Sequence, residues 1–148
     1  MNYDFIIYGG GMSSQIAALA LAKDNFKVCF IENSTIKKSD SNLVTFLSQG
    51  SVSYLCSIID DATFFKEFLD IKNITCEVEK KNKNSSITFD SEPKSAMGKI
   101  LPNKVIKEVL NLCLKTNKNI ETLVKSKSIQ KGMGSNKVSI VIDEQKEI

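Results

Sequence analysis

The residues best suited to chemistry stand near the N-terminus, in the segment GGGMSS at positions 9–14. Gly9 and Gly11 match the first two glycines of the GxGxxG fingerprint for dinucleotide binding, and Ser14 stands in place of the third. In that fingerprint the first glycine permits a tight turn, and the second lets a pyrophosphate approach the backbone. The free N–H groups at the start of the following helix can then hold an anion without any basic side chain.

An acidic residue stands where the fingerprint requires one. Glu32 lies roughly 20 residues beyond Gly11, and its carboxylate can accept hydrogen bonds from the 2′- and 3′-hydroxyls of an adenosine ribose. It would repel a 2′-phosphate, which disfavours NADP. The hydroxyl of Ser14 can bond back to the helix backbone, so we expect the serine to push the helix out slightly without abolishing the site. FAD and NAD share this pocket, and the motif alone leaves the choice between them open.

Two apolar strands and one helix must position these groups. Residues 4–8 and 26–31 read as buried strands, and residues 12–23 read as a helix that ends at Asp24 and Asn25. The apolar residues of the helix at helical spacing are Ile16, Leu19 and Ala20. Two strands joined by a helix are expected to be parallel, with a right-handed crossover.

The middle of the chain reads as a polar loop over residues 34–46, which leads into a short strand and then a helix from Ser48. Apolar residues recur in that helix at i, i+3, i+4 and i+7, namely Val52, Leu55, Cys56 and Ile59. A third apolar cluster comprises Phe64, Phe65, Phe68 and Leu69. Asp60 and Asp61 precede this cluster and suit a helix start.

The period then changes to alternation on both sides of a lysine-rich turn, which predicts a hairpin over residues 73–90. A short strand at 97–101 follows, and Asn103 is a good N-cap for a helix at 104–115. That helix is predicted to bury Val105, Ile106, Val109 and Leu110, with Cys113 as a further candidate. A strand at 119–124 and a second hairpin about the glycine turn at 131–136 complete an α/β pattern.

Composition excludes several classes of chemistry. The chain has 148 residues, 42% of them apolar, and a net charge of +3, which is too small to argue for nucleic-acid binding. All 20 basic residues are lysine, so the chain has neither an arginine clamp for phosphate nor a histidine base. Without histidine or a CxxC pair a zinc site is not expected. The four widely spaced cysteines are predicted to be buried free thiols.

The N-terminal stretch YDFIIYGGGMSSQIAALALAKDNFKVCFIE resembles the FAD-dependent aromatic-ring hydroxylases with the para-hydroxybenzoate hydroxylase fold, most closely the ubiquinone-biosynthesis hydroxylases. Three later pieces resemble that family in the right order. These are TFLSQGSVSYL (45–55), ITCEVEKKNKNSSITFD (74–90) and MGKILPNKVIKEVL (97–110). The resemblance implies a Rossmann-like FAD-binding βαβ unit with additional helices and antiparallel β-hairpins, as an incomplete fold of that type.

The resemblance implies FAD as cofactor and an NAD(P)H- and O2-dependent hydroxylation of a prenylated phenol. The cofactor-binding candidates are Gly9, Gly10, Gly11, Met12, Ser13, Ser14, Glu32 and Asn33, with Asn103 and Lys104 as flavin-side contacts. An N-cap and a solvated lysine are equally good interpretations of the last two residues. No residue is a credible catalytic acid or base, and no metal ligand set is expected.

The sequence also departs from the family. The arginine that family members carry near the flavin corresponds to Asn42 or Leu43, and the later flavin-binding motifs and the substrate domain are absent. We therefore expect residues 1–148 to be the N-terminal part of a FAD-binding domain, inactive by itself. Another FAD- or NAD-dependent Rossmann oxidoreductase and a truncated, non-catalytic nucleotide-binding remnant remain the alternatives.

Location and partners are also expectations at this point. The chain has no apolar run long enough to span a bilayer and no basic secretory start, which predicts a cytoplasmic protein. The apolar substrate of the resembled family implies peripheral association with the inner membrane and membership of a multi-enzyme ubiquinone-biosynthesis complex.

Overall fold

A computed structural model of the protein describes residues 2–32, 43–61, 63–80, 83–92, 95–124, 129–131, 140–142 and 146–147. The helices are α1 (Met12–Lys23), α2 (Gln49–Ile59) and α3 (Asn103–Thr116), with a 3-10 helix at Phe64–Glu67. The strands are β1 (Phe5–Tyr8), β2 (Val28–Glu32), β3 (Val44–Ser48), β4 (Asp70–Ile71), β5 (Asn73–Lys80), β6 (Lys83–Asp90), β7 (Gly98–Pro102), β8 (Ile120–Val124), β9 (Ile129–Lys131), β10 (Ile140–Ile142) and β11 (Lys146–Glu147). The chain divides into two compact units, one of Met1–Ser39 with Val109–Ile148 and the other of Asp40–Glu108.

The first unit is built on a parallel sheet in the order β1-β2-β8. Strand β2 is central, and its residues from Val28 to Ile31 are fully buried, as expected for a parallel strand covered on both faces. The predicted β-α-β unit with parallel strands is therefore confirmed. The predicted strand at 119–124 is confirmed as β8, which pairs with β2.

The prediction that residues 4–8 form a buried strand is wrong in its burial. Strand β1 lies at the edge of this sheet, and Phe5 and Tyr8 are 40% and 51% exposed. An apolar run indicates a strand, but burial depends on which strands pair beside it, and β1 pairs with β2 on one side among the described residues.

Helix α1 has the predicted bounds, and its end has a clear local cause. Asn25 adopts the left-handed conformation (φ 65°), and the N–H groups of Asn25 and Phe26 donate to the carbonyls of Ala22 and Leu21. This is the Schellman arrangement that closes many helices. Of the three apolar residues noted at helical spacing, Leu19 alone is buried, and the buried residues of α1 are Gln15, Ala18, Leu19 and Ala22.

The rest of the first unit comes from the C-terminal part of the chain. Leu110 and Leu114 of α3 are buried, and Leu114 had not been predicted in the core. Strands β9, β10 and β11 form a small antiparallel sheet. The second predicted hairpin is thus confirmed in its β9–β10 pairing, and most of its glycine turn lies outside the described residues.

The second unit contains an antiparallel sheet in the order β3-β7-β4. Helix α2 follows β3 directly. The Ser48 hydroxyl caps the N-terminus of α2 by accepting a hydrogen bond from the Ser51 N–H at 3.2 Å. Val52 and Leu55 are buried as predicted. In the third apolar cluster Phe65 is buried within a 3-10 helix, whereas Leu69 is 78% exposed.

The first predicted hairpin is confirmed as the antiparallel pair β5–β6. Its register pairs Ile74 with Phe89 and Cys76 with Ile87, so the apolar residues of both strands share one face of the hairpin. That face is solvent-exposed, and Cys76 is exposed with it. The prediction of a buried thiol is therefore wrong for Cys76, whereas it is confirmed for Cys29, which is fully buried in β2.

Candidate functional site

The glycine turn begins where β1 ends, and it stays attached to β2. The Gly9 N–H donates to the Ile31 carbonyl at 3.1 Å, which extends the strand pairing by one residue beyond Tyr8. The chain then turns through Gly10 and Gly11 and enters α1 at Met12. The turn is therefore held at the carboxyl edge of the parallel sheet, the edge at which open α/β sheets bind ligands.

The N-terminus of α1 is open. Gly11 is the N-cap in an extended conformation (φ −94°, ψ 164°), no side chain caps it, and the first turn contains no acidic residue. The N–H groups of the first helical turn have no partners within the helix and carry a partial positive charge. A Cβ atom placed on Gly11 would meet nothing within 4 Å. This combination leaves donors and free space where an anion would approach.

Ser14 is packed between the first two glycines of the motif. Its Oγ donates to the Gly11 carbonyl at 2.7 Å, so the predicted bond back to the backbone is confirmed. A Cβ atom on Gly9 would lie 2.8 Å from Ser14 Oγ and 2.9 Å from Ser14 Cβ. Gly9 is thus required because Ser14 occupies the space beside Gly9. The φ angle of Gly9 lies outside the left-handed region, so backbone conformation does not explain the glycine.

Glu32 stands beside the glycine turn because of the register of the sheet. Tyr8 pairs with Ile31, so Glu32 is level with Gly9 one residue further along both strands. On the other side of β2 Glu32 pairs with Val124 of β8. Glu32 is half-buried at the end of an otherwise buried strand. The acid and the glycine turn therefore share one edge of the sheet.

The remaining predicted residues of this segment differ in exposure. Gly10 and Met12 are half-buried, whereas Ser13 is exposed on the first turn of α1. Asn33 lies outside the described residues, so its predicted role stays a prediction.

Asn103 and Lys104 belong to the unit Asp40–Glu108, at the start of α3. Asn103 is itself the first helical residue, which corrects the prediction that it precedes the helix. Its Oδ1 accepts a hydrogen bond from the Thr45 hydroxyl, and its N–H donates to the Leu43 carbonyl at 2.9 Å. These bonds tie the start of α3 to β3 and give Asn103 a structural task.

Lys104 behaves as a solvated lysine. Its side chain is 72% exposed and lies 3.9 Å from the Glu108 carboxylate, one helical turn along. An exposed pair of this kind contributes little to stability. Leu43, one of the two positions that correspond to the family arginine, is 58% exposed.

Gln15 is a polar residue in the buried face of α1 that was not predicted from the sequence. Gln15 is 4% exposed, and its Nε2 donates to Asn111 Oδ1 of α3 at 2.6 Å. Its Oε1 is buried without a hydrogen-bond partner among the described residues. The signal was available, because Gln15 precedes Ala18, Leu19 and Ala22 at i+3, i+4 and i+7.

The described residues contain no group of three or more histidine, cysteine, aspartate or glutamate side chains that could hold a metal ion. None of their helices is both long and apolar enough to cross a membrane.

No protein-family model matches the sequence, and no curated protein matches it. Solved structures of flavoproteins do share its fold. The chain matches pqsL, a probable FAD-dependent monooxygenase from Pseudomonas aeruginosa, over 98% of its own length and 39% of that protein, with 13% identity and a TM-score of 0.66. It matches Xcc4156, a flavin-dependent halogenase from Xanthomonas campestris, over 97% and 40%, with 14% identity and a TM-score of 0.71.

A third similar structure is the p-nitrophenol 4-monooxygenase PnpA from Pseudomonas putida DLL-E4. The match covers 92% of this chain and 34% of that protein, with 14% identity and a TM-score of 0.62. At such identities the likeness establishes the fold, and the chain spans about two fifths or less of each of these proteins. The predicted fold, a partial FAD-binding α/β fold with a parallel βαβ unit and antiparallel hairpins, is confirmed.

Proposed function

We propose that this chain binds the adenosine diphosphate half of FAD, as the N-terminal part of a flavin-dependent monooxygenase that hydroxylates an aromatic ring. The observation that carries the proposal is the register that places Glu32 level with Gly9, beside the uncapped N-terminus of α1. An anion site and a carboxylate at one sheet edge match the two ends of adenosine diphosphate.

The residues of this edge fit the group that they are proposed to hold. The free space at Gly11 admits a pyrophosphate close to the backbone, where a side chain would exclude it. The N–H groups of the first turn of α1 donate to the phosphate oxygens, and the helix dipole favours the negative charge. Glu32 accepts from the ribose hydroxyls. Because the chain contains no arginine, the backbone supplies the phosphate contacts that a guanidinium would otherwise make.

FAD is proposed in preference to NAD because of the structure beyond residue 60. A nicotinamide-dependent Rossmann enzyme would continue with alternating strands and helices in a parallel sheet. Here the chain continues with the antiparallel hairpin β5–β6 and the antiparallel sheet β3-β7-β4. The similar structures are a monooxygenase and a halogenase described as FAD- or flavin-dependent. When bound, the flavin supplies the redox chemistry, and this chain positions it.

An aromatic substrate is proposed for the whole protein, with O2 as co-substrate and NAD(P)H as electron donor. PnpA is named as a p-nitrophenol monooxygenase, and PqsL has been solved with 2-aminobenzoylacetate, so proteins of this fold act on or bind aromatic compounds. The narrower proposal, a polyprenyl phenol of ubiquinone biosynthesis, rests on the sequence resemblance. With such a substrate we propose a cytoplasmic enzyme that associates with the inner membrane and with other enzymes of that pathway.

The test is titration calorimetry of the purified chain with ADP and FAD, with adenosine 2′,5′-bisphosphate as the control ligand. We expect ADP and FAD to bind and the 2′-phosphorylated ligand to bind much more weakly. The protein encoded by the complete reading frame should carry a flavin that absorbs near about 450 nm. A folded chain that binds neither ADP nor FAD would contradict the proposal.

One observation favours a second candidate, a non-catalytic nucleotide-binding protein. The arginine expected near the flavin is absent from the chain, and Leu43 is one of the two positions that correspond to it. In that case ADP binds, but the complete product carries no flavin and consumes no NAD(P)H. Saturation by NADH without any flavin would instead support another Rossmann oxidoreductase.

A further inference from the structure

We infer that Ser14 is a positioning residue of the phosphate turn, whose hydroxyl holds the Gly11–Met12 peptide so that the Met12 N–H faces the pyrophosphate. The inference rests on the proposed function and deepens it, since it assigns the orientation of one proposed phosphate-binding N–H group to one side chain. It also gives the serine at the third position of the motif a role of its own.

Two hydrogen bonds meet at the Gly11 carbonyl. Its oxygen accepts from Ser14 Oγ at 2.7 Å and from the Gln15 N–H at 3.3 Å. Hydroxyl donors usually lie about 2.7–2.8 Å from their acceptors and backbone N–H donors about 2.9–3.0 Å. The helical bond is therefore long, whereas the serine bond has ordinary length. The Ser14 hydroxyl is thus a second restraint on this carbonyl, beside the longer helical bond.

The peptide unit that joins Gly11 to Met12 is planar and rigid. In a planar trans peptide the carbonyl of one residue and the N–H of the next point in opposite directions. Restraint of the Gly11 oxygen toward the helix therefore directs the Met12 N–H away from it, at the open N-terminus of α1. A Cβ atom on Gly11 would meet nothing within 4 Å, so the space beside this peptide is free for a phosphate.

The Ser14 hydroxyl has no second proton to donate to a phosphate. A serine hydroxyl has one proton, and that of Ser14 is already donated to Gly11. The side chain is also confined, because its Cβ and Oγ lie where a Cβ atom of Gly9 would stand. Ser14 is therefore placed to orient a backbone donor, and a direct hydrogen bond from its hydroxyl to the phosphate would break the bond to Gly11.

The test compares Ser14→Ala with the wild type by titration calorimetry, using ADP and adenosine as the two ligands. Adenosine lacks the pyrophosphate but keeps the ribose that Glu32 would hold. We expect Ser14→Ala to bind ADP about fivefold more weakly and adenosine within about twofold of the wild type, the size of one lost hydrogen bond. A general loss of structure would weaken both ligands together.

The chain offers a matched control in Ser57→Ala. Ser57 Oγ donates to the Tyr54 carbonyl three residues earlier at 2.7 Å, which reproduces the Ser14 bond on α2 in the other unit. We expect Ser57→Ala to have a thermal unfolding midpoint similar to that of Ser14→Ala and to bind both ligands as the wild type does.

Each other outcome overturns the inference. If the wild type binds ADP and Ser14→Ala binds it equally well, the inference is wrong and the proposed function stands. If Ser14→Ala weakens ADP and adenosine alike, the serine acts only through general stability. If the wild type binds no ADP, the proposed function fails and the inference fails with it.

Discussion

Ser14 fills the space that a Cβ atom on Gly9 would need, because such an atom would lie 2.8 Å from Ser14 Oγ and 2.9 Å from Ser14 Cβ. Real Cβ atoms do not approach other heavy atoms so closely. The serine at the third position of the motif and the glycine at the first position are therefore a coupled pair. Their coupling can be measured.

Gly9→Ala should lower the free energy of unfolding by about 1–3 kcal/mol, the usual cost of forcing a methyl group into a packed site. In the Ser14→Gly background the same change should cost at least about 1 kcal/mol less, because both contacting atoms have gone. Urea unfolding of the four proteins in this double-mutant cycle measures the coupling. Equal costs of Gly9→Ala in the two backgrounds would show that the contact with Ser14 does not constrain Gly9.

Gly11→Ala should separate binding from stability. Its backbone is extended and a Cβ atom would meet nothing within 4 Å, so we expect a stability loss below about 1 kcal/mol, the usual cost of alanine at an N-cap. The new methyl group would stand where the pyrophosphate approaches, and we expect ADP affinity to fall by more than about tenfold. Unfolding curves and ADP titrations of the same variant check both parts. Unchanged ADP affinity would place the phosphate elsewhere.

Glu32→Gln should weaken ADP binding by about tenfold or more, because a hydrogen bond to a charged acceptor contributes about 1.5–3 kcal/mol. It should also reduce the preference for AMP over adenosine 2′,5′-bisphosphate, since the charge that repels the 2′-phosphate is removed. Glu77→Gln makes the same charge change on the exposed hairpin and serves as the control. If both variants bind AMP and the bisphosphate with the wild-type preference, Glu32 does not hold the ribose.

Tyr3→Phe should change the alkaline limb of the stability profile. The Tyr3 hydroxyl donates to Glu121 Oε2 at 2.6 Å, and burial together with this bond raises the pKa of Tyr3 above its ordinary value. The folded chain then keeps a proton that the unfolded chain loses above about pH 10, so the wild type loses stability as the pH rises further. Tyr3→Phe should lose less stability above pH 10.

Urea midpoints between about pH 9 and 11 provide the measurement for Tyr3, since tyrosine normally titrates in this range. Tyr54→Phe is the control, because it makes the same change at a tyrosine that is 53% exposed. Parallel alkaline slopes for the wild type and Tyr3→Phe would contradict the prediction.

Cys76 should be the thiol that reacts fastest with a disulfide reagent in the native protein. It is exposed on β5, whereas Cys29 is fully buried and Cys56 and Cys113 are partly buried. Access of the reagent to the thiol controls such a reaction, so Cys76→Ser should remove the fast phase while Cys29→Ser leaves it unchanged. A fast phase that persists in Cys76→Ser would show that another thiol is accessible.

Local pattern predicted the elements more accurately than it predicted their burial. The bounds of α1, the parallel pairing of β1 with β2 and the β5–β6 hairpin followed from hydrophobic period, glycine position and turn composition. These signals are local, because helix and strand periods act over a few residues. Wrong predictions concerned the burial of β1 and Cys76, which depends on neighbours far along the chain.

Helix α1 shows the same limit within one element. Alanine and leucine occur on several faces of this helix, so Ile16 and Ala20 were as plausible in the core as Ala18 and Ala22. The packing of α1 against the sheet selected Gln15, Ala18, Leu19 and Ala22. A helix with apolar residues on several faces leaves its orientation to tertiary contacts.

The sequence by itself determined which candidate groups for nucleotide binding this protein contains: the glycine segment, Ser14, an acid at Glu32, and no arginine or histidine anywhere. Only the tertiary structure decided that Glu32 is level with Gly9 and that Gln15 is buried with its side chain bonded to Asn111. Residue types and their spacing are properties of the local sequence. Strand register and the burial of a side chain arise only when distant segments pair and pack.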